Sequence, residues 1–539
     1  MMKKPVYWLF YLAGVIVALA TTLYQRSPGY MDAAYYTVTG AQLASGRGLV
    51  EPFLWNYLDN PVGLPHTAFT YWMPMPAFLA AIGFFIAHSN SFIFARVPFI
   101  LLAGLIPVLT ARLAYEMSGK NEISTLAGWL AVFPVFYTPY LAIPDSFIPL
   151  MVCGGVISLY LWKVFATDKT ISLWEWVVVG LCCGVINLCR ADGLLWIVAI
   201  ALASSIWLIK QRRLHSRQVI FSLLGLVIGF LMMMGWWYIR NLHLFGQFFA
   251  PASQYSLWFT SYDQLFNHPV GSINPQSWWT SGVTAILTAR WTALKMNLAT
   301  TLGVHFCVVL LPLFMVGIRK AKNRMFNWFF LSMYALLFMI MTVAFPFAGS
   351  RGGFFHSMAV IQPWIWVMAA IGFKKTIEWI SPHRKWDPQR AYRGFGIILV
   401  GILAFAALGV YTVQVYGIAQ SSTEPSDVSS SARAWDEDYE TYLTINSYLV
   451  EQGMTEDEIV MVNDPPLYFW ASAQQSIVIP NGTIDAIAET AHQYRARYLV
   501  VESEHIPALD TMYAGMETNS EWFEYVGNVD GNQIYRIYP

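Results

Sequence analysis

Charge is scarce in this chain. Only 12% of its 539 residues are charged, about half the share of an ordinary soluble domain, so most of the chain is not built to face water. Acidic and basic residues balance at 32 each, and a net charge of zero gives no case for a nucleic-acid partner. Cysteine is nearly absent. Cys153, Cys182, Cys183, Cys189 and Cys307 are odd in number, lie in or beside apolar runs and show no metal-ligand spacing. They read as small hydrophobes and not as a disulfide framework. There is no Walker loop, no His-Glu-x-x-His and no Gly-x-Ser-x-Gly, so ATP-driven transport and the common hydrolase chemistries lack support. No short-period internal repeat is visible.

What the chain does have is apolar length. It is 56% hydrophobic, and a spanning helix needs about 20 mostly apolar residues. Eleven runs qualify, at 5–24, 92–115, 122–140, 146–166, 172–189, 193–209, 219–238, 298–317, 326–347, 357–373 and 394–413. Lys3 and Lys4 ahead of the first run suit a signal peptide, but its length and the runs after it favour a retained anchor. With eleven spans, all the basic clusters fall on the cytoplasmic side: Lys3-Lys4, Arg112 with Lys120, Lys163 with Lys169, Lys210 to Arg217, Arg319 to Arg324 and Lys374 to Arg393. The expected protein is integral and multi-pass, with its N-terminus cytoplasmic and its C-terminal domain extracytoplasmic. Residues 69–88 are also apolar, but crossing there would move every later cluster outside. With Pro74 and Pro76 near its start, this stretch reads as a helix lying in the outer leaflet or re-entering it.

After the last span the composition changes. Residues 419–438, rich in Ser, Asp and Glu, suit a linker. The remainder alternates strand patterns (459–462, 476–479 and 498–501) with helical ones (439–451 and 484–494), which predicts a small α/β domain over 439–539. Residues 1–418 form the membrane domain, whose first outer loop covers 25–91. The fold class expected is thus a membrane protein of about 11 transmembrane helices with a small extracytoplasmic α/β domain.

Sorting polar residues by side puts Asp32, Asp59, His66, Asp145, Arg190, Asp192, Arg240, Arg351 and His356 at outer span ends or in outer loops. Ionisable residues near a membrane core are functional candidates by default. Arginine forks match phosphate oxygens, and a carboxylate beside them is placed to take a proton from an attacking hydroxyl. Each residue also has a plainer role. Asp32 and Asp145 sit at helix N-cap positions. Arg190 and Asp192 suit pairing with each other. Arg240 follows Trp236-Trp237 as an interfacial anchor, and His356 suits an interfacial histidine. Arg351 lies among Gly349, Gly352 and Gly353, where backbone amides can approach an anion. Asp59 and Asn60 before Pro61 look like a turn. The aromatic residues of loop 239–297, from Phe248 and Phe249 through Tyr262 to Trp291, suit either a headgroup belt or a platform for sugars or lipid. Asn481-Gly482-Thr483 matches a glycosylation acceptor, but reads as a turn before a helix.

This pattern resembles the GT-C superfamily of integral-membrane glycosyltransferases, nearest the branch of protein O-mannosyltransferases and the lipid A aminoarabinose transferase. The likeness rests on Met31-Asp32-Ala33-Ala34-Tyr35-Tyr36 after the first span, Asp145 in a short outer connection, Arg190-Ala191-Asp192-Gly193, and Tyr238-Ile239-Arg240-Asn241 followed by Phe245-Gly246. It covers residues 1 to about 415 in architecture. It implies an inverting transferase that moves a sugar from a polyprenyl-phosphate donor to a hydroxyl of a protein, lipid or glycan acceptor on the non-cytoplasmic face. Asp32 would be the general base, Asp145 a second catalytic acid, and Arg190, Arg240 and Arg351 ligands of the donor phosphate. Asp192, His356 and His66 complete the candidate substrate site. Many relatives have Asp-Glu where this chain has Asp32-Ala33. Oligosaccharyltransferases bind a divalent metal through acid clusters, but no Asp-x-Asp stands in the outer loops. No cofactor or metal is therefore expected, with a divalent ion as the alternative. Three rivals remain: a transporter or flippase of a lipid-linked saccharide, a non-catalytic scaffold whose outer domain binds a partner, and an enzyme of the same fold with a different transferred group.

Overall fold

The computed structural model describes residues 4–166, 172–210, 216–271, 273–321, 323–417, 434–516 and 521–538. Eight helices among them are long and apolar enough to cross a membrane, and a bent pair brings the number to nine. The chain is a multi-span membrane protein. Its early helices are α1 (Lys4–Thr21), α2 (Met31–Ala44), α3 (Met75–Ala87), α4 (Phe92–Ser118), α5 (Asn121–Val132), α6 (Phe147–Ala166), α7 (Leu173–Cys189), α8 (Leu194–Lys210) and α9 (Ser216–Phe245).

Three of the eleven expected spans differ from expectation. The run 122–140 gives only the 12-residue α5 and then a 3₁₀ segment, Val135–Tyr140. Pro134 and Pro139 remove the amides an α-helix needs there. The run 172–189 gives a helix of 17 residues, opened by a Ser172–Glu175 capping box. The run 298–317 is broken: Val283–His305 and Leu310–Lys320 meet at 84°, with Cys307 and Val308 at positive φ between them. The stretch 69–88 gives α3, 13 residues long. At 1.5 Å per residue that is about 20 Å, short of a bilayer core of about 30 Å. Of the basic clusters, Lys3, Lys169, Arg212, Arg213 and Lys322 lie outside the described residues, as do residues 419–433 of the expected linker.

Small residues let the spans close on one another. Helices α7 and α9 meet so tightly that a Cβ at Gly229 would lie 2.0 Å from the Val177 carbonyl.

The tail folds as a six-stranded sheet in the order β2-β5-β4-β6-β8-β7. Its strands are β4 (Ile459–Val462), β5 (Ser476–Val478), β6 (Ala496–Val501), β7 (Phe523–Val529) and β8 (Asn532–Ile537). The sixth, β2 (Phe53–Leu54), comes from the loop between α2 and α3 and pairs parallel with β5. That loop also holds the short antiparallel pair β1 (Val50–Glu51) and β3 (His66–Thr67). Side chains alternate across the tail strands. Met461, Leu499 and Val501 face the core under the Ile484–Tyr494 helix. Val460, Val462, Tyr498 and Val500 face the core under the Glu437–Glu451 and Pro465–Ser472 helices. Ala34 of α2 belongs to this second core, whereas its neighbours Ala33, Tyr35 and Tyr36 belong to the membrane-domain core. Helix α2 is therefore a wedge between the two bodies.

The strand and helix patterns expected for the tail fall on β4, β5, β6 and the two helices, within two residues at each end. Asn481 bonds the Asn267 side chain at 2.8 Å, and Thr483 caps the Ile484–Tyr494 helix. The triplet is thus a turn before a helix, as its sequence suggested.

Candidate active site

Asp32 lies in the first turn of α2, one position past its start. Tyr30 is the N-cap residue and makes no side-chain capping bond, so no carboxylate is spent on capping. One turn on, Tyr36 faces the same way.

Asp145 approaches from the connection ahead of α6. It is buried and richly bonded. The Tyr30 hydroxyl donates to Oδ2 at 2.5 Å, the Ser146 amide and hydroxyl donate to Oδ1, and His356 Nδ1 stands 3.4 Å from the same oxygen. His356 stacks on the Phe147 ring at 3.9 Å and meets Ser146 Oγ at 2.9 Å.

Arg190 closes the far side. It ends α7, and its Nε donates to Asp192 at 2.9 Å. A Cβ at Gly353 would lie 3.6 Å from its Nη2, so the guanidinium faces the 349–353 turn. Gly352 in that turn has φ +100°, a conformation glycine adopts freely. Arg351 projects from it, exposed, with its guanidinium 4.0 Å over the Tyr262 ring.

The charges respond to one another. Burial, with the charge of Asp145 second, pushes Asp32 up to about 6, against the pull of His356 and Arg190. Burial would also raise Asp145, but His356 and the hydrogen bonds from Tyr30 and Ser146 outweigh it and hold Asp145 below its ordinary value. Burial weakens the Arg190 cation, and Asp192 more than offsets this. Asp32 and Arg351 both act on the hydroxyl of Tyr262. Five of the expected residues, Asp32, Asp145, Arg190, Arg351 and His356, are thus linked in one cluster by contact or by charge, with Asp192 paired to Arg190. One carboxylate is held ionised and the other sits near neutrality, so the pair is differentiated for proton transfer.

The structure does not bring His66 or Arg240 into this group. His66 bridges Glu51 at 2.9 Å and Asp59 at 3.1 Å. Although burial opposes it, the hydrogen bonds that His66 donates to these two carboxylates lift it to about 10. Asp59 is thereby part of a clamp and not only of a turn. Arg240 donates to the Ala68 carbonyl at 2.6 Å and stacks on Trp237 at 4.4 Å. Both belong to a second cluster near Tyr35, about 100° around α2 from Tyr36.

Sequence reading missed Tyr30 and Tyr36. Only their spacing around Asp32 would have singled them out among 29 tyrosines. Tyr262 differs from the other loop aromatics: it is half-buried beneath Arg351, while Phe249 and Trp279 point outward at 61% and 70% exposure. Among the described residues no three His, Cys, Asp or Glu side chains converge as metal ligands, and both Asp145 oxygens already have partners.

No protein-family model matches the chain, and no curated protein does. Solved structures do. The apo oligosaccharyltransferase of Archaeoglobus fulgidus is similar over 95% of this chain and 71% of its own, at a TM-score of 0.56 and 13% identity. ArnT from Cupriavidus metallidurans is similar over 98% of this chain and 97% of its own, at 0.57 and 12%. The chain has the GT-C fold. The archaeal oligosaccharyltransferase AglB, solved with an inhibitory peptide and a dolichol-phosphate, shares that GT-C fold at 0.51 and 12% identity.

Proposed function

We propose that this protein is an inverting glycosyltransferase that takes a sugar from a polyprenyl-phosphate donor on the non-cytoplasmic face. The observation that carries the reading is a half-buried Asp32 within electrostatic reach of the buried Asp145, Arg190 and His356, with Arg351 acting on the same Tyr262 hydroxyl, on a GT-C fold.

Asp32 is the general base. A carboxylate lifted to about 6 is mostly ionised at neutral pH yet basic enough to accept a proton, which is where a base works best. It takes the proton of the acceptor hydroxyl as that oxygen attacks the anomeric carbon. The bond from the anomeric carbon to the phosphate oxygen breaks, and polyprenyl phosphate leaves. Arg351, whose cation is exposed and has no carboxylate partner among the described ion pairs, binds the leaving phosphate. Arg190 supports it from inside the site. Such fixed cations stabilise charge that grows in the transition state. Asp145 stays ionised and keeps Tyr30 and His356 in place. No step needs a metal, and none is assigned to one.

A lipid-linked donor fits the company this fold keeps, since AglB was solved with a dolichol-phosphate and a related structure carries a tethered acceptor peptide. The acceptor class here is a hydroxyl compound presented from the outer side, where the tail domain covers α2.

The test is release of polyprenyl phosphate followed by mass spectrometry. Wild type and Asp32→Asn are incubated with a panel of polyprenyl-phosphate sugars and cell-envelope extract. Release by wild type alone, with a sugar-mass shift on an acceptor, is the expected result. Equal release by both would remove Asp32 from the mechanism. No release from any donor would favour the transporter or scaffold readings.

A further inference from the structure

Asp32 reaches the site because the short segment ahead of α2 is held in one place, and two residues at the foot of the tail domain hold it. Asp436 is 1% exposed. Its Oδ1 accepts from the Ser27 amide at 2.8 Å, the Ser27 hydroxyl at 2.8 Å and the Arg26 amide at 3.1 Å. Its Oδ2 accepts from the Arg26 amide at 3.1 Å. A buried carboxylate needs such donors, and charge-assisted bonds of this kind are the strong ones. Beside it, the Trp435 indole N–H donates to the Ser27 carbonyl at 3.1 Å.

The indole also sets the shape of the next residues. It lies flush on Gly29, where a Cβ would come within 2.2 Å of the indole nitrogen. Gly29 has φ +85°, so any side chain there is excluded by both backbone and space. The Trp435 ring then meets Tyr30 edge-on at 5.8 Å and Tyr140 at 6.0 Å. Tyr30 and Tyr140 meet edge-on at 5.8 Å. The hydroxyl of this sandwiched Tyr30 is the one that donates to Asp145. From the other side, the Trp435 amide bonds the Val415 carbonyl at the end of the Pro388–Tyr416 span. The exposed pair of Arg26 with Glu440, at 3.7 Å, adds little.

We propose that Trp435 and Asp436 are positioning residues for the transfer site: they latch residues 26–29 so that Tyr30 is delivered to Asp145 and Asp32 to the reacting hydroxyl. Neither touches the reacting atoms. This rests on the transferase reading above, because the site being positioned is the one assigned there. The tail domain thereby acts on catalysis through a contact at Trp435 and Asp436, separate from any acceptor it binds.

The experiment uses the full chain in nanodiscs, with Asp436→Asn, Trp435→Phe, Tyr30→Phe and the double variant Asp436→Asn/Tyr30→Phe. Two readouts are taken. Hydrogen exchange follows the Arg26 and Ser27 amides, with the β4–β6 amides as a control for the fold. Asp436→Asn is expected to speed exchange of the first pair about 10- to 100-fold and leave the control unchanged. Steady-state transfer is expected to show kcat about tenfold lower with donor KM unchanged. In the Tyr30→Phe background, Asp436→Asn is expected to change kcat less than twofold, because both act through one contact. Trp435→Phe keeps the ring and loses one bond, so a smaller, about threefold, effect on exchange is expected. Wild-type exchange in Asp436→Asn overturns the latch. Full multiplicative losses in the double variant overturn the route through Tyr30. Transfer absent even from wild type overturns the transferase reading and the positioning role with it, and the exchange readout still decides whether the latch exists.

Discussion

The Tyr30 hydroxyl donates to Asp145 at 2.5 Å, joining positions 115 residues apart. Tyr30 precedes α2 and Asp145 precedes α6, so this one bond ties the start of α2 to the start of a span. Asp32, two residues after Tyr30, thereby stays within electrostatic reach of the second acid.

Replacing Asp32 by Asn keeps its shape and removes its basicity. Transfer is expected to fall about 10²- to 10⁴-fold, the range for loss of a general base. Donor binding, followed by retention of a labelled polyprenyl-phosphate sugar, is expected to persist. Undiminished turnover would place the base elsewhere.

The pH profile of kcat/KM is expected to show an acid limb near 6. Asp32 must be ionised to accept a proton, so the rate falls as pH drops through its raised value. The charge of Asp145 is one cause of that rise. Asp145→Asn removes it, and the limb of the residual activity is expected to move to lower pH. A limb that stays put or moves upward would contradict the assignment.

Arg351→Ala is expected to raise donor KM about tenfold or more, the worth of a charge-assisted bond to a phosphate. Arg351→Lys keeps the charge without the planar fork that lies over Tyr262, so it is expected to recover only part of the loss. A KM series across the three proteins decides this.

The tail carries its own pH dependence. Glu502 is half-buried and pushed from 4.5 up to about 7, chiefly by desolvation. It therefore keeps a proton in the fold that it gives up on unfolding, and stability falls as pH rises from about 4.5 to about 7. The ionised state costs roughly 3 kcal/mol at higher pH. Gln at 502 can still accept from the Asn463 amide and the Tyr442 hydroxyl. Glu502→Gln is expected to raise the melting temperature at pH 8 and leave it nearly unchanged at pH 4.5.

Chelation gives a further check. With no metal assigned to any step, turnover is expected to survive EDTA and gain nothing from added Mg²⁺ or Mn²⁺. An EDTA-sensitive rate restored by one ion would require a ligand set that includes Asp32.

Much of this was legible in the sequence, and the rest was hidden for physical reasons. Asp32 and Asp145 were found because an acid at a span end is costly and conspicuous. Five of the candidate residues do form one cluster, whereas His66 and Arg240 have other partners, which their place at the ends of apolar runs cannot distinguish. The break at 301–309 was hidden because Thr301, Gly303 and His305 are too few to interrupt a run that is otherwise apolar. Strand β2 is two residues long and its partner lies in the tail, so no periodicity marks it. The β7–β8 hairpin did carry a signal, Asp530-Gly531 between two strand-like runs. Trp435 and Asp436 fell within a stretch read as linker, since composition does not show that its last residues are buried.

The pairing of β2 with β5 has a consequence for how the protein is made. Tyr57 bonds the Val478 carbonyl across 421 positions, so the first outer loop finds its sheet only after nearly the whole chain has left the ribosome. Until then α2 lacks the tail core that Ala34 packs into, and Tyr30 lacks the ring of Trp435. A nascent chain with every span inserted would still lack these contacts, so the candidate site is completed last, by the part of the chain made last.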